Sequence, residues 1–251
     1  MGRKLEVATI HGIGAREEQQ DSFGRTENTA EWEKKHGRFF VLADGMGGMS
    51  GGAQISMAAV VSCLKSFDEQ EEMIFDSSFL RNTLQHANDV ICDGMQRNGI
   101  VGGTTIILVW IYKNQLYWAT IGDSHLYHYR NRMLRQLNHD HNYAAKLQEF
   151  VNEGLLSEED AARHPQRRAL TSYLGMEEMG DIDYNDSSIS LKRKDRLLLM
   201  SDGIFGTISE KEIGGAMLLP LQQAARVIEQ SILAKQKKNQ DNYTAILIEV
   251  R

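Results

Sequence analysis

The sequence predicts an α+β fold in which helices cover mostly antiparallel sheets. Short β-rich runs are separated by Gly, Asn and Asp turns, and blocks of helical periodicity lie between groups of these runs instead of alternating strictly with them. The chain has two prolines, and no Gly/Ser-rich or low-complexity stretch has the composition of a linker. We therefore expect a single domain over residues 1–251.

Strands are expected wherever aliphatic, β-branched and aromatic residues form a short run. In chain order these runs are residues 5–10, 38–43, 104–112, 115–121, 126–129, 196–200 and 244–250. Between residues 112 and 115, Lys113-Asn114 predicts a tight hairpin turn. Helical periodicity predicts helices over residues 53–66, 77–95, 143–153 and 220–235.

The composition excludes several classes of protein. The chain has 28 Lys and Arg against 34 Asp and Glu, a net charge of −6, so it lacks the broad basic field of a nucleic-acid-binding protein. Cys63 and Cys92 are too few for a disulfide scaffold and have no metal-ligand spacing, which favours a reducing compartment. The longest apolar stretch, residues 104–112, is far shorter than the ~20 residues that span a bilayer, and no targeting segment is visible. We expect a cytoplasmic protein without a membrane span.

Four aspartates recur where predicted strands meet turns. Asp44, Asp123 and Asp202 follow strands, and Asp241 precedes one. Each alone is more typical of a turn than of a ligand, because Asp-Gly is a common turn dipeptide. At one sheet edge, however, the four would repel one another unless cations neutralised them, and an all-oxygen set selects Mg²⁺ or Mn²⁺. Two such ions about 3.5–4 Å apart can activate a bridging water for in-line displacement at phosphorus, which predicts hydrolysis of a phosphate ester.

The glycine-rich run DGMGGMSGG, which begins at Asp44, does not have the GxxxxGK[ST] pattern of a phosphate-binding loop, and this disfavours nucleotide binding. A phosphate would instead need an arginine, whose planar fork meets two oxygens at once. Arg16 is the candidate. Judged from its own segment alone, an exposed and solvated Arg16 is the simpler interpretation.

An ordered series of motifs covers nearly the whole chain. The motifs are AREEQQDSF, FVLADGMGGMSGG, GGTTIILVW, WATIGDSHLY, HDHN, LLLMSDGIFG and DNYTAILIEV. This series closely resembles the metal-dependent PP2C (PPM) serine/threonine protein phosphatases in their short bacterial single-domain form. The resemblance implies an α-β-β-α sandwich of two antiparallel sheets flanked by helices, with a binuclear metal centre at one end.

The resemblance also implies the direct metal ligands. Asp44 resembles the carboxylate that bridges the two ions, and Gly45 offers its backbone carbonyl. Asp202 and Asp241 are similar to the remaining direct ligands. Asp123 resembles the residue that, with Asp202, binds a third and weaker metal in bacterial members. The implied cofactor is therefore Mg²⁺ or Mn²⁺, as two ions with a third at the weaker site.

Further roles follow from the same resemblance. Asp21 is similar to an acidic residue that holds a metal through water, and Arg16 matches the phosphate-binding arginine. Gln20 stands where the family often has Glu, which removes one charge beside the site. Asn242 and Thr104 match motif positions that are expected to be structural.

Besides Gln20, the chain departs from the family pattern at three further positions. Met46 and Met49 occupy positions where family members carry His, so no side-chain general acid is evident. The leaving group would then take its proton from water or from a histidine such as His11. His125 stands where the family has Arg, which leaves open how the local salt bridges form.

The predicted function is metal-dependent hydrolysis of phosphoserine and phosphothreonine on proteins. The expected partners are a phosphoprotein substrate and a Ser/Thr kinase whose signalling the enzyme reverses, and a monomer is expected. Two alternatives stay open: a catalytically inactive module that recognises phosphoprotein, and an enzyme devoted to one regulatory partner such as an anti-sigma antagonist. Specificity would lie in surface loops and the flap over residues 172–188, and activity on phosphotyrosine also stays open.

Overall fold

The structure is a computed structural model that describes residues 3–47, 51–70 and 77–251. Its strands are β1 Leu5–Gly12, β2 Asp21–Arg25, β3 Arg38–Met46, β4 Gly103–Thr104, β5 Ile106–Tyr112, β6 Gln115–Ile121, β7 His125–Arg130, β8 Met133–Gln136, β9 Asp183–Tyr184, β10 Ile189–Ser190, β11 Arg196–Met200 and β12 Tyr243–Val250. Its helices are α1 Ala30–His36, α2 Gly51–Asp68, α3 Ser77–Asn98, α4 Tyr143–Asn152, α5 Glu158–Arg163, α6 Asp202–Phe205, α7 Glu210–Ala216 and α8 Leu221–Ala234.

Two antiparallel sheets are built from these strands. The order in one sheet is β1-β12-β11-β7-β8, and the order in the other is β10-β6-β5-β3-β2, with β4 paired to β3 and β9 paired to β6. Strands that are far apart in the sequence therefore lie side by side. Strand β1 pairs with β12, with Leu5 opposite Val250 and Gly12 opposite Tyr243.

The alternating side chains of each strand build a four-layer structure. Along β3, Phe39 and Val41 pack against α2 and α3, whereas Phe40 and Leu42 pack against the opposite sheet, as the two-residue period of a strand requires. Helices α7 and α8 cover the outer face of the other sheet. The helix, sheet, sheet, helix order confirms the expected α-β-β-α sandwich.

Antiparallel pairing brings particular strand ends together. Strands β1, β3, β6 and β11 end where β2, β5 and β12 begin. The pairings Gly12 with Tyr243, Asp21 with Asp44, and Met200 with Ala245 show this, and β5 carries the same order on to β6. We call this the site end of the sandwich. The first residues of β1, β3 and β11 lie at the opposite end.

The element predictions were right for the apolar runs and wrong for short polar elements. Lys113 and Asn114 have φ values of +47° and +67°, the conformation of a tight two-residue hairpin, and this turn is confirmed. The run 104–112 is divided at Thr105 into β4 and β5. Strands β2, β8, β9 and β10 and helices α1, α5, α6 and α7 were not predicted, since they are short or rich in polar residues.

Two expectations about the chain's chemistry can be compared with the structure. Cys63 and Cys92 are both free thiols. Within the described residues, no helix combines the length and apolar character needed to cross a bilayer.

Candidate active site

A pocket of about 650 Å³ opens at the site end of the sandwich. It receives side chains from both sheets and from the loops between them. Six of the seven predicted site residues line it, namely Arg16, Asp44, Gly45, Asp123, Asp202 and Asp241. The seventh, Asp21, is 3% exposed and lies beneath the pocket, opposite Asp44 in the β2–β3 ladder.

Asp44 lies inside a strand, which corrects the prediction that it occupies a turn. Strand β3 continues to Met46 because β4 pairs with it, Gly45 facing Thr104. The Asp44 amide donates to Thr105 Oγ1 at 3.2 Å, and the Thr105 amide donates to the Asp44 carbonyl at 2.9 Å. A rigid ladder, rather than a flexible turn, therefore holds this carboxylate.

Gly45 is required by close packing. A Cβ at this position would lie 2.3 Å from the Gly52 carbonyl oxygen and 2.6 Å from that of Gln20. Both neighbours are backbone atoms, so they cannot move away like a flexible side chain. The glycine thus lets the first turn of α2 and the segment before β2 approach the strand that carries Asp44.

Burial, and then the charges of neighbouring carboxylates, raise the pKa values of the aspartates at this pocket. Burial raises the pKa of Asp21 to about 6, although its Oδ2 accepts a hydrogen bond from Ser201 Oγ at 2.8 Å. Asp21 Oδ1 is buried without a hydrogen-bond partner in the described part of the chain. Burial, followed by the charges of Asp21 and Asp202, raises the pKa of Asp44 well above its usual value. These carboxylates need protons or cations to compensate them.

Asp202 and Asp241 are brought together by close contact between α6 and the segment before β12. Asp202 is the first residue of α6 and directly follows β11 and Ser201. A Cβ on Gly203 would lie 1.9 Å from the Asn242 carbonyl oxygen, so only glycine allows this approach. Burial, and then the charge of Asp241, raises the pKa of Asp202.

Asp123 follows β6 in a turn on the other side of the pocket. Asn142 Nδ2 donates to its Oδ2 at 3.4 Å, and the Asn142 side chain also caps α4 by accepting from the Ala145 amide. Burial, and then the charge of Asp202, raises the pKa of Asp123 to about 6. Asp123 and Asp202 therefore influence each other electrostatically.

Arg16 lies on the loop between β1 and β2. Asn242 Nδ2 holds this loop by donating to the carbonyls of Ile13 and Glu18 at 2.9 and 3.0 Å, a structural role for Asn242. The Arg16 guanidinium donates to Asp241 Oδ2 at 2.6 Å, and the two side chains are 57% and 39% exposed. An ion pair this exposed contributes about 0–1 kcal/mol, so Arg16 can exchange Asp241 for another anion at little cost.

A second arginine, Arg168, lines the pocket and was not singled out from the sequence. It lies on the exposed loop after α5, and its charge lowers the pKa of Asp202, opposing the effect of burial. No local pattern marks this residue, because an arginine in a polar loop is ordinarily a solvated one.

Methionines occupy the two positions where family members carry histidine. Met46 lines the pocket, and Met49 lies outside the described residues. No described histidine lines the pocket. His11 lies elsewhere, with Nδ1 3.0 Å from Thr244 Oγ1 and its ring packed edge-on to Phe23.

His125 forms its own contacts in place of the expected arginine. Its ring stacks on Phe205 with centroids 3.6 Å apart, and its Nε2 lies 3.1 Å from Asp140 Oδ1. Burial would raise the pKa of Asp140, but contact with His125 and a hydrogen bond from Gln136 bring it below its usual value. The His125–Asp140 pair therefore holds the HDHN turn against β7.

The residues present fit a hard divalent metal. The pocket offers carboxylate and carbonyl oxygens, no described Cys or His lines it, and the Asp21 Oδ1 beneath it has no partner. Within the described ranges, no three Asp, Glu, His or Cys side chains already surround one point as ligands. Asp241 accepts a hydrogen bond from Arg16 and Asp21 accepts one from Ser201, so metal binding would require these side chains to turn.

A four-layer sandwich with a carboxylate pocket at one end of both sheets is the arrangement expected for the phosphatase class that the motifs resemble. Comparison with known families agrees, because the sequence profile described as Protein phosphatase 2C matches residues 13–241. The chain belongs to the protein phosphatase 2C family. The family predicted from the motifs, and with it the protein serine/threonine phosphatase class, is thus confirmed.

Individual relatives extend over the same length. The serine/threonine phosphatase stp of Listeria monocytogenes is 29% identical over 241 residues, covering 93% of this chain and 91% of its own. The S. agalactiae serine/threonine phosphatase structure is 26% identical with a TM-score of 0.83, covering 99% of this chain and 100% of its own. The catalytic domain of PstP, crystallised with two manganese ions, is 26% identical with a TM-score of 0.75 and 98% coverage of both chains.

Proposed function

We propose that this protein hydrolyses phosphoserine and phosphothreonine esters on other proteins with two Mg²⁺ or Mn²⁺ ions. The observation that carries the proposal is the group of buried carboxylates at one pocket, whose pKa values are raised first by burial and then by their mutual repulsion. Cations would remove this repulsion. The two manganese ions in the related PstP structure support the same ion count here.

Asp44, the Gly45 carbonyl, Asp202 and Asp241 would hold the two ions. Asp21 would support one of them through water from beneath the pocket, and Asp123 with Asp202 would hold a third. When bound, such ions supply a nucleophilic water at neutral pH and neutralise charge that develops on phosphate.

The arginines would recognise the phosphate. Arg16 presents a planar fork at the pocket and is held only by an exposed ion pair, so it can turn to phosphate oxygens. Arg168 adds a second positive charge from the opposite loop. Together they would orient the ester with its phosphorus toward the carboxylates.

The leaving group would be protonated by water. Hydrolysis adds one water across the P–O bond, giving inorganic phosphate and the free Ser or Thr hydroxyl. No described His or Cys lines the pocket, and Met46 cannot donate a proton. His11 is directed to Thr244 instead of the pocket. The pocket's carboxylates and arginines would therefore position the reaction without a dedicated side-chain acid.

In the cell, the enzyme would reverse the action of a Ser/Thr kinase on shared substrates, as a cytoplasmic monomer. We also propose that residues 1–251 act as one domain, because pairing of β1 with β12 joins the two ends of the described chain. A non-catalytic binding module is disfavoured by the carboxylate set, since a module that only recognises phosphate has no use for mutually repelling anions beside it.

The proposal is tested by hydrolysis of a phosphothreonine peptide with Mn²⁺, with Mg²⁺ and with excess EDTA. We expect turnover that requires millimolar-range metal, because oxygen-only sites exchange hard ions readily. Phosphate release must stop in EDTA and return when Mn²⁺ is restored. Full activity in the chelator would contradict the metal-dependent mechanism.

A further inference from the structure

Exposed cations are concentrated at the end of the sandwich opposite the candidate active site. They precede β1 and β11, follow β5, or lie on α1 just before β3. These residues, which we call the basic end, are Arg3, Lys4, Lys34, Lys113, Lys192, Arg193 and Lys194. The chain as a whole has a net charge of −6, so the local excess of positive charge at this end has the opposite sign to the charge of the molecule.

The cations of the basic end are not neutralised by neighbouring carboxylates. Three acidic residues at this end are bound by other arginines: Glu33 by Arg38 at 2.7 Å, Asp195 by Arg130, and Glu249 by Arg196 and Arg251. Glu31, on α1 with Lys34, is exposed to solvent. Among the described residues, none of the basic-end cations has an ion-pair partner. Lys113 Nζ lies 4.7 Å from the centre of the Tyr112 ring, a contact that leaves its charge uncompensated by an anion. The positive charge of this end is therefore available to an external anion.

Arg3 joins the separate segments into one surface. Its amide donates to Asn114 Oδ1 at 2.7 Å, and its guanidinium donates to the Leu191 carbonyl at 2.7 Å. The Leu191 amide in turn donates to the Asn114 carbonyl at 2.7 Å. The β5–β6 turn, the residues before β1 and the turn before β11 are thus held in fixed relative positions.

A groove of about 360 Å³ lies within this surface. Lys4, Lys34 and Lys113 line it from three different elements, and Leu5 and Ile111 are the buried apolar residues of its wall. Glu33 also lines the groove but is paired with Arg38, so the lysines leave an excess of positive charge on several sides. Such a groove fits an extended chain that carries several negative charges.

The groove is well separated from the active-site pocket. Arg38 lines the groove and Asp44 lines the pocket, and both belong to β3. Six residues of extended strand correspond to roughly 20 Å at about 3.3 Å per residue. A ligand in the groove therefore does not compete with phosphate in the pocket.

We propose that the basic end binds an acidic segment of a protein partner in this groove, which would hold that partner on the phosphatase away from the reacting phosphate. A bilayer is a poorer fit, because a membrane presents a flat surface and no exposed large apolar side chain lines the groove among the described residues. Nucleic acid is disfavoured because the net charge of −6 opposes a long polyanion.

The test uses a fluorescein-labelled peptide of consecutive glutamates and fluorescence anisotropy at low salt with EDTA present. The peptide has no phosphate and the chelator removes metal, so the result is independent of the proposed hydrolysis. The triple variant Lys4→Gln, Lys34→Gln, Lys113→Gln is compared with a matched triple, Lys146→Gln, Lys211→Gln, Arg226→Gln. Both sets are exposed, and both change the net charge equally.

We expect the groove variant to weaken peptide binding by about tenfold and the matched variant by less than about twofold, since local charge outweighs net charge at short range. Equal weakening by the two variants would overturn the proposal. The proposal would also be overturned if duplex DNA or phosphatidylglycerol vesicles bound more tightly than the peptide and lost that binding in the groove variant. Circular dichroism melting checks that all variants are folded.

Discussion

Asp202 is the residue on which the candidate metal centre most depends, because it interacts electrostatically with Asp21, Asp44, Asp123 and Asp241. We expect Asp202→Ala to lower kcat by more than the roughly 100-fold typical of losing an outer-sphere partner. The fold should persist in EDTA with an equal or higher melting temperature, because one source of repulsion is removed.

The Asp202 variant is checked by phosphopeptide turnover with Mn²⁺ and by thermal melting with and without metal. Asp89→Ala, at an exposed aspartate on α3 that does not line the pocket, is the control and should leave both nearly unchanged. A folded Asp202→Ala enzyme with wild-type kcat would rule out its role as a ligand.

Arg16 should act on substrate affinity. In Arg16→Ala we expect KM for a phosphopeptide to rise by about 10- to 100-fold with a smaller change in kcat, because a phosphate contact present before and during the reaction is uniform binding. Steady-state kinetics at saturating Mn²⁺ measure the split. A fall in kcat at unchanged KM would mean that Arg16 acts mainly by positioning Asp241, its ion-pair partner.

The sequence predicted the candidate site residues that stand in a recognisable local pattern, and it missed those that only the tertiary fold brings to the pocket. Asp44, Asp123, Asp202 and Asp241 stood at strand boundaries, where a pattern singles them out. Asp21 could be named only through family resemblance, since its segment DSFGR has no apolar periodicity. Arg168 had no signal, because its approach to the pocket depends on how the loop after α5 packs.

The contact between α6 and the segment before β12 determines how two candidate ligands meet. We expect Gly203→Ala to destabilise the protein by about 1–3 kcal/mol, because the new Cβ would overlap the Asn242 carbonyl. Turnover should also fall, since Asp202 and Asp241 would separate. Urea unfolding and phosphopeptide kinetics measure the two effects.

Gly94→Ala provides the comparison for Gly203→Ala. Gly94 lies inside α3, and a Cβ there meets nothing within 4 Å, so alanine should stabilise the helix by about 0.5–1 kcal/mol. If both alanine variants were equally stable, the close approach at Gly203 would be no constraint on the site.

At the element scale, prediction depended on hydrophobic content. β11 was predicted with its observed bounds because RLLLM is buried at every position. β3 was predicted too short, since the Asp-Gly pair is typical of a turn and only its pairing with β4 continues the strand. Short capped helices such as α7, which begins with a Ser209–Glu212 capping box, depend on polar contacts that periodicity does not detect.

The whole molecule should respond to pH through its carboxylate cluster. In the metal-free protein, burial raises the pKa values of Asp21 and Asp123 from 3.8 to about 6, and burial also raises the pKa of Asp44 well above its usual value. These groups bind protons more tightly in the folded than in the unfolded chain. Their protonation therefore favours folding below about pH 4, and this contribution is lost as the pH rises through about 6.

We expect the metal-free protein to be less stable at about pH 7.5 than at about pH 5. A carboxyl with its pKa raised to about 6 loses roughly 1–1.5 kcal/mol of stabilisation between these two pH values, and the cluster contains several such groups. Urea unfolding in EDTA at the two pH values measures this difference. Saturating Mn²⁺ should reduce it, and Asp21→Asn should reduce it without metal. If the metal-free protein were more stable at the higher pH, protonation of these carboxylates would not stabilise the fold.

The pairing of β1 with β12 has a consequence for the newly made chain. A ribosome synthesises Asp21 and Asp44 early and Asp241 late, and β12 must insert between β1 and β11 before Asp241 reaches the other carboxylates. Such non-local closure is a slow kind of folding step. A nascent chain therefore emerges with these carboxylates apart, and the proposed metal ligands could come together only when β12 is in place.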